Sequence, residues 1–191
     1  MTQGCLFVIS GPSGVGKTTV VNQILQKDAS VARVITCTSR KIRPGEKSGE
    51  DYIFLTTGSF LKKIAAGDFA EFSEVYGNYY GVLIESIQES MKNQKISILN
   101  VNWEGFSKIK NVIGEKVYGV FLTPPSEEEL ENRLRSRATD SEEVIQRRLA
   151  EAKEDMSHAS EYNFVVENKD IDKAVDDILK IFKEVSELEN R

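Results

Sequence analysis

The segment Gly11-Pro-Ser-Gly-Val-Gly-Lys17-Thr18 constrains this chain more than any other. It fits G-x-x-x-x-G-K-[ST] and stands between an apolar run and an amphipathic one. Cys5-Leu6-Phe7-Val8-Ile9, just before it, is short and apolar throughout, the pattern of a strand buried on both faces. Val20, Val21, Ile24 and Leu25, just after it, recur at helical spacing. Strand, glycine turn and helix open an α/β unit. The glycines let successive backbone N–H groups point into one concavity, which binds phosphate oxygens. The helix N-terminus that follows adds positive potential. Lys17 can reach a transferring phosphoryl group, and the Thr18 hydroxyl can hold Mg²⁺. The motif implies nucleotide binding and leaves the second substrate open.

Residues 33–82 read differently from the start of the chain. Short β-like runs (Val34 to Thr38, Tyr52 to Leu55, Phe69 to Val75) surround one helical segment from about Ser59 to Ala66, with Gly67 placed to end it. This stretch is expected to be an inserted, strand-rich subdomain. The α/β pattern then resumes. Leu83, Ile84, Ile87 and Met91 mark a helix, and Ile96 to Val101 and Val117 to Leu122 mark buried strands. Pro124-Pro125 closes the latter, and Ser126 with Glu129 forms a capping-box pattern. Asp140 and Glu143 suggest a helix start running to about Met156. Phe164 to Val166 reads as a fourth buried strand, and Ile171, Ala174, Val175, Ile178, Leu179 and Phe182 as one face of a last helix. The fold class is α/β, three layers with a mainly parallel sheet.

Composition narrows the partners. The net charge of −5, from 25 basic and 30 acidic residues, argues against general nucleic-acid binding, which needs a basic face. Cys5 and Cys37 have no metal or redox spacing and read as buried thiols. With no signal peptide and no long apolar run, the expected setting is cytoplasmic, away from membranes.

The acceptor is decided by Thr38-Ser39-Arg40-Lys41-Ile42-Arg43-Pro44-Gly45-Glu46-Lys47-Ser48-Gly49-Glu50-Asp51-Tyr52-Ile53-Phe54. Arg40 and Arg43 offer planar donor forks to a dianionic phosphate. Tyr52 adds a neutral hydroxyl, and Glu46 can orient an arginine. This segment resembles the guanylate kinase signature T-[ST]-R-x-x-[KR]-x-x-[DE]-x-x-G-x-x-Y-x-[FY] at every fixed position, and with the flanking motifs the resemblance covers nearly the whole chain.

The resemblance implies a P-loop NTPase fold in which ATP phosphorylates GMP to GDP with Mg²⁺. Its implied layout is one domain over residues 4–184: a core of 4–32, 83–125 and 155–184, a GMP-binding subdomain of 33–82, and a helical lid of 126–154. Phe69-Ala-Glu71-Phe72 and Gly77-Asn-Tyr-Tyr80-Gly81 look like the remaining GMP-binding segments. A glutamate at the Glu71 position reads guanine, because a carboxylate accepts both N1–H and the 2-amino group, whereas adenine lacks that donor pair. Thr36 matches a base-contacting hydroxyl and Tyr80 a phosphate-binding tyrosine. The implied GMP site is thus Thr36, Arg40, Arg43, Glu46, Tyr52, Glu71, Tyr80 and Gly81. On the ATP side stand Gly11, Pro12, Ser13, Gly14, Val15, Gly16, Lys17, Thr18 and Thr19. Arg133, Arg137 and Arg148 match the ATP-side arginines, and Asn168 a position beside the adenine ring. Lys17, Arg40, Arg137 and Arg148 would serve the transferring phosphoryl group.

Three positions depart from the family pattern. Val82 replaces a Ser or Thr that contacts the base. Asn100 and Asn102 replace the aspartates of an L-D-x-D segment, where a carboxylate can hold Mg²⁺ through water or orient acceptor-side arginines. Asn100 keeps a carbonyl for such water-mediated contact. Arg135 and Arg147 read as members of surface salt bridges with Glu128, Glu131 or Glu143, and His158 as an ordinary surface or helix residue. The acceptor phosphate is already anionic, so no general base is required. Two rival readings are a kinase for another nucleoside monophosphate, which the signature and Glu71 oppose, and a non-catalytic scaffold of the same fold. Such scaffolds have usually lost the P-loop lysine or lid arginines, both present here. A monomer and a homodimer are both compatible with the sequence.

Overall fold

In β1 (Cys5–Ser10) alternate side chains feed opposite layers. Cys5, Phe7 and Ile9 join one apolar cluster with Val20, Val21 and Ile24 of α1 (Lys17–Lys27) and Val175, Ile178 and Phe182 of α7 (Ile171–Glu189). Leu6 and Val8 join another with Ile87 and Met91 of α3 (Ile84–Asn93) and Phe106 and Ile109 of α4 (Trp103–Ile113). A strand apolar on both faces therefore carries a helical layer on each side. The computed structural model describes residues 4–93, 96–136 and 141–189.

β1 is the middle strand of a five-stranded sheet ordered β2-β7-β1-β8-β9. The others are β2 (Val31–Arg33), β7 (Ile96–Asn100), β8 (Val117–Thr123) and β9 (Phe164–Glu167), and every pairing is parallel. The expected strand from Val34 to Thr38 is divided. Val31–Arg33 pairs with β7 at the core edge, and Val34 still donates its N–H to the Ile98 carbonyl at 3.0 Å. Only Cys37–Thr38, β3, enters the second sheet. The Phe164–Val166 run is likewise an edge strand rather than a buried one: it pairs with β8 alone, and Val165 is 54% exposed.

The second sheet runs β4-β3-β6-β5, with β4 at Ile53–Phe54, β5 at Phe69–Val75 and β6 at Asn78–Leu83. It has its own apolar cluster of Cys37, Phe60, Phe69 and Leu83. Leu83, expected in the following helix, ends β6 opposite Phe69. Between Phe69 and Glu71 the β5 register shifts by one residue. This bulge sends Phe69 into the second sheet's cluster and Ala70 into the core cluster of α3 and α4, seating the second sheet on the first. Phe60 comes from α2 (Thr57–Ala66), which Thr56 caps by accepting from the Ser59 N–H and Gly67 ends in a left-handed conformation.

Helix α4 has no counterpart among the expected elements. Asn102 is its N-cap, accepting from the Gly105 N–H at 3.0 Å. Ser126 caps α5 (Glu127–Arg135) through the Glu129 N–H, but the Glu129 carboxylate turns to Arg133 instead of closing a capping box. Helix α6 (Glu142–Ser157) begins after Ser141, while Asp140 lies outside the described residues. Both cysteines are buried free thiols.

Candidate active site

The site lies at the carboxyl ends of the parallel strands, where loops leave the sheet and a crevice forms. β1 ends at Ser10, whose buried hydroxyl donates to the Val101 carbonyl at 2.8 Å, fastening the start of the glycine loop to the end of β7. Asn100 is the register partner of Ile9 and so stands next to that loop.

Two glycines of the loop are dictated by geometry. Gly11 has φ +141°, and a Cβ there would lie 2.4 Å from the Leu122 carbonyl oxygen of β8. Gly16 has φ +102°, and a Cβ there would meet the Asn168 amide nitrogen at 2.7 Å. A side chain at either position meets both left-handed strain and a collision. Gly16 caps α1 without a side-chain hydrogen bond to that helix end, so the first-turn N–H groups face the loop. Lys17 curls back over the loop, donating to the Gly11 carbonyl at 2.5 Å and the Pro12 carbonyl at 3.0 Å. Thr18 and Thr19 are exposed beside it.

Lys17, Gly11 and Ser13 line a cleft of about 710 Å³ with Asn100, Asn102 and Trp103. Glu151, Glu154 and Asp155 of α6 face them. Burial pushes the Asp155 carboxyl up, and the nearby Lys17 ammonium pulls it back. Arg148 is half-buried on the same helix. Arg148, Glu151 and Asp155 are spaced i, i+3, i+7, one helical face, which is the signal by which Asp155 could have been found from sequence. Arg137 lies outside the described residues.

Arg133 braces the loop from behind. Its guanidinium donates to the Asn168 carbonyl at 3.1 Å and the Val15 carbonyl at 3.5 Å and pairs with Glu129 at 3.1 Å. The Asn168 amide donates to the Val15 carbonyl at 2.7 Å. Asn168 is only 1% exposed, so here its side chain is a buried strut under Val15 and Gly16. Arg135 forms surface pairs with Glu131 and Glu142, and the partner of Arg147 is Glu151 at 3.6 Å. His158 ends α6, stacks on Trp103 with ring centroids 3.7 Å apart, and pairs with Glu161.

The acceptor-signature residues gather on the second sheet and in the loop between its strands β3 and β4. Arg40 and Glu46 form a bidentate pair with both bonds at 2.9 Å, and the Arg43 N–H donates to the same carboxylate at 2.8 Å. The Arg43 side chain is exposed. The Arg40 guanidinium, and then the Arg43 N–H, hold the Glu46 carboxyl down at about 2. A carboxyl depressed on folding contributes above its ordinary range and loses that contribution as pH falls through about 2, so the pair stays ionised at neutral pH. Arg40 also stands over the Tyr52 and Phe54 rings at 5.4 and 5.6 Å, and Tyr80 meets Tyr52 edge to face. Thr36 and Tyr52 share a 210 Å³ pocket with Thr18 and Asn100. That pocket joins the glycine-loop helix to the second sheet.

Glu71 is half-buried just after the β5 bulge, with Val82 opposite it on β6. Burial raises its carboxyl above the ordinary range. Gly81 packs so closely on the Glu71 carbonyl and the Phe69 ring that a Cβ would fall 2.8 and 2.9 Å from them. Val82 is 1% exposed and belongs to the core cluster of α3 and α4. The position that departs from the family hydroxyl is therefore core packing here.

A family model for guanylate kinase matches residues 3–185. The chain belongs to the guanylate kinase family. It is 40% identical to a guanylate kinase of Hydrogenovibrio crunogenus over 179 residues, 94% of this chain and 87% of that one. It is 43% identical to the guanylate kinase of Nitrosospira multiformis over 177 residues, 93% of this chain and 84% of that one. The crystal structure of guanylate kinase from Anaplasma phagocytophilum superposes with a TM-score of 0.74 at 31% identity, covering 97% of this chain and 87% of the other. The three-layer α/β frame described above is the frame of this family. Among the described residues no helix is long and apolar enough to cross a membrane.

Proposed function

We propose that this guanylate kinase family member transfers the γ-phosphoryl group of ATP to GMP, giving ADP and GDP, in purine nucleotide metabolism and GMP recycling. The observation that carries the reading is one pocket shared by two chemistries: Thr18, next to Lys17 at the glycine loop, lines it with Thr36 and Tyr52 of the segment that carries the Arg40–Glu46 pair. In this reading residues 11–19 surround the ATP phosphates and Lys17 follows the moving phosphoryl group. Arg40, Arg43, Tyr52 and Tyr80 hold the GMP phosphate, and Thr36 and Glu71 read the base beside Gly81. Residues 33–82 act as the GMP-binding subdomain on a core of 4–32, 83–125 and 155–184. Residues 126–154 act as the lid, carrying Arg137 and Arg148 to the transition state, where charge spreads over the phosphoryl oxygens. Arg133 and Asn168 support the ATP side through the glycine loop that they brace. Closure excludes water, the competing acceptor. The protein works as a monomer or homodimer on soluble substrates. Conversion of the GMP phosphorus-31 resonance into a diphosphate pair at the expense of ATP tests this reading. ATP loss without that conversion would contradict it.

The donor set fits Mg²⁺. Thr18 and Asn100 line one pocket with oxygen-bearing side chains, and among the described residues no group of three or more His, Cys, Asp or Glu forms an all-protein cage. Mg²⁺ prefers few protein ligands beside water and phosphate oxygens. Bound with ATP, it supplies charge neutralisation across the β- and γ-phosphates. Thr18 would hold it directly and Asn100 through water. Asn102 is occupied as the cap of α4. Asn100→Asp is therefore expected to lower the Mg²⁺ concentration for half-maximal activity several-fold, since one partly screened charge contributes about 1 kcal/mol. Asn102→Asp replaces one good cap by another and should leave the midpoint in place. A Mg²⁺ titration at fixed nucleotide compares the three proteins, and equal midpoints for all would remove Asn100 from the metal's water shell.

A further inference from the structure

Helix α6 carries Arg148, and its last residues rest on the frame that holds the glycine loop. Arg148, Glu151, Asp155 and His158 are spaced i, i+3, i+7, i+10, so one helical face runs from the proposed lid arginine to the end of the helix. Glu151 and Asp155 on that face line the cleft with Lys17. His158 is the joint where α6 stops and a short 3₁₀ turn, Ala159–Glu161, begins. Its N–H donates to the Asp155 carbonyl at 3.2 Å, and its carbonyl accepts from the Glu161 N–H at 3.0 Å. Its ring lies face to face on Trp103, with centroids 3.7 Å apart and planes 10° from parallel. The Glu161 carboxylate fixes the rotation of that ring by pairing with Nδ1 at 2.6 Å. Trp103 opens α4 directly after the cap Asn102 and lines the same cleft. Two residues earlier, the Val101 carbonyl accepts the Ser10 hydroxyl at the start of the glycine loop. The stack therefore joins the root of α6 to the support of the loop. Met156 and Ala159 also pack the root against the core cluster of α3 and α4. One of these side chains is flexible and the other small, so they hold the root without fixing its direction, which two flat rings do.

We infer that His158 is a positioning residue for phosphoryl transfer: stacked on Trp103, it sets the direction in which α6 leaves the core and so where Arg148 meets the transferring group. His158 acts through Arg148 and rests on the transition-state role proposed for that arginine. Arg148 lies ten residues before His158, about 15 Å along the axis at 1.5 Å per residue. At that distance a tilt of about 5° at the root displaces the arginine by about 1 Å, and a misplacement of that size weakens a contact made in the transition state. The proposed GMP residues are held by their own sheet and apolar cluster, so GMP binding is expected to stay.

The test measures the single-turnover rate of ADP formation, and KM for GMP, in wild type, His158→Gln, His158→Phe, Arg148→Ala and the His158→Gln/Arg148→Ala double variant. His158→Gln keeps a donor for Glu161 and loses the ring face. It should lower the rate about two- to tenfold, the range a stacked aromatic pair gives, with KM for GMP unchanged. His158→Phe keeps the face, loses the Glu161 bond and should retain the wild-type rate. In the Arg148→Ala background, His158→Gln should cost nothing further. Trp103 is the only tryptophan of the chain, so its fluorescence reads the stack directly. Acrylamide should quench it more in His158→Gln than in wild type or His158→Phe. A wild-type rate in His158→Gln, or an indole no more accessible there, overturns the inference. So does an equal loss in His158→Phe, or an undiminished loss in the Arg148→Ala background. An Arg148→Ala variant as fast as wild type overturns the role proposed for Arg148, and this inference with it.

Discussion

Replacing Lys17 by alanine is expected to lower kcat about a thousandfold or more while GMP binding stays nearly intact. The ammonium folds over its own loop onto the Gly11 and Pro12 carbonyls. Those carbonyls belong to the cradle, so the lysine is held at the cradle's rim, ready to exchange them for phosphate oxygens. The charge it brings is worth most when the phosphoryl group is between donor and acceptor, in a site closed to water. The GMP residues stand on another sheet, with their own apolar cluster. Calorimetric titration with GMP and single-turnover ADP formation separate the two effects. The loop's shape comes from Gly11, Gly16 and the Arg133–Asn168 brace, so the variant should remain folded. A large loss of GMP affinity in a folded variant would move Lys17 out of the donor site.

Glu71→Gln is expected to lower kcat/KM for GMP on the order of ten- to a hundredfold, with KM for ATP little changed. Glutamine keeps one acceptor and presents an amide N–H to a guanine donor. An unpaired donor at a half-buried position costs about 1–3 kcal/mol. The replacement is nearly isosteric, so the β5 bulge and the packing of Ala70 should persist, and thermal stability should not fall. Steady-state kinetics with each substrate varied in turn measures the effect. Equal GMP constants in wild type and variant would remove Glu71 from the base.

The frame was legible because its signals are local. An apolar pentapeptide, a glycine loop and a helical repeat force a parallel core unit, and Gly67 and Ser126 mark helix ends through their own chemistry. The less legible features depend on contacts distant in sequence. Val31–Arg33 is a strand only because β7 lies beside it, and its three residues carry no period of their own. The bulge at Ala70 arises where two apolar clusters claim neighbouring residues. In the candidate site, residue types and their grouping by motif could be read, but their state could not. The resemblance matches Asn168 to a position beside the adenine ring, and only the fold shows that its side chain is buried as a brace under the loop. Asn102, in the place of a family aspartate, is the cap of α4, a role that shows only once the helix behind it is recognised. Trp103, Phe106, Ile109 and Ile113 behind an asparagine were the available sign of a capped helix. Val82 suggested a lost base contact, and its burial explains the apolar residue instead.

The most direct test of the account is a coupled assay of ADP formation with saturating Mg²⁺–ATP and a panel of nucleoside monophosphates. The account predicts rapid turnover with GMP and a kcat/KM for AMP, CMP and UMP lower by several orders of magnitude, since a site built on paired donors rejects bases lacking them by about 10⁴–10⁵. A preference for any other monophosphate, or no ADP formation with GMP at any Mg²⁺ concentration, would contradict it.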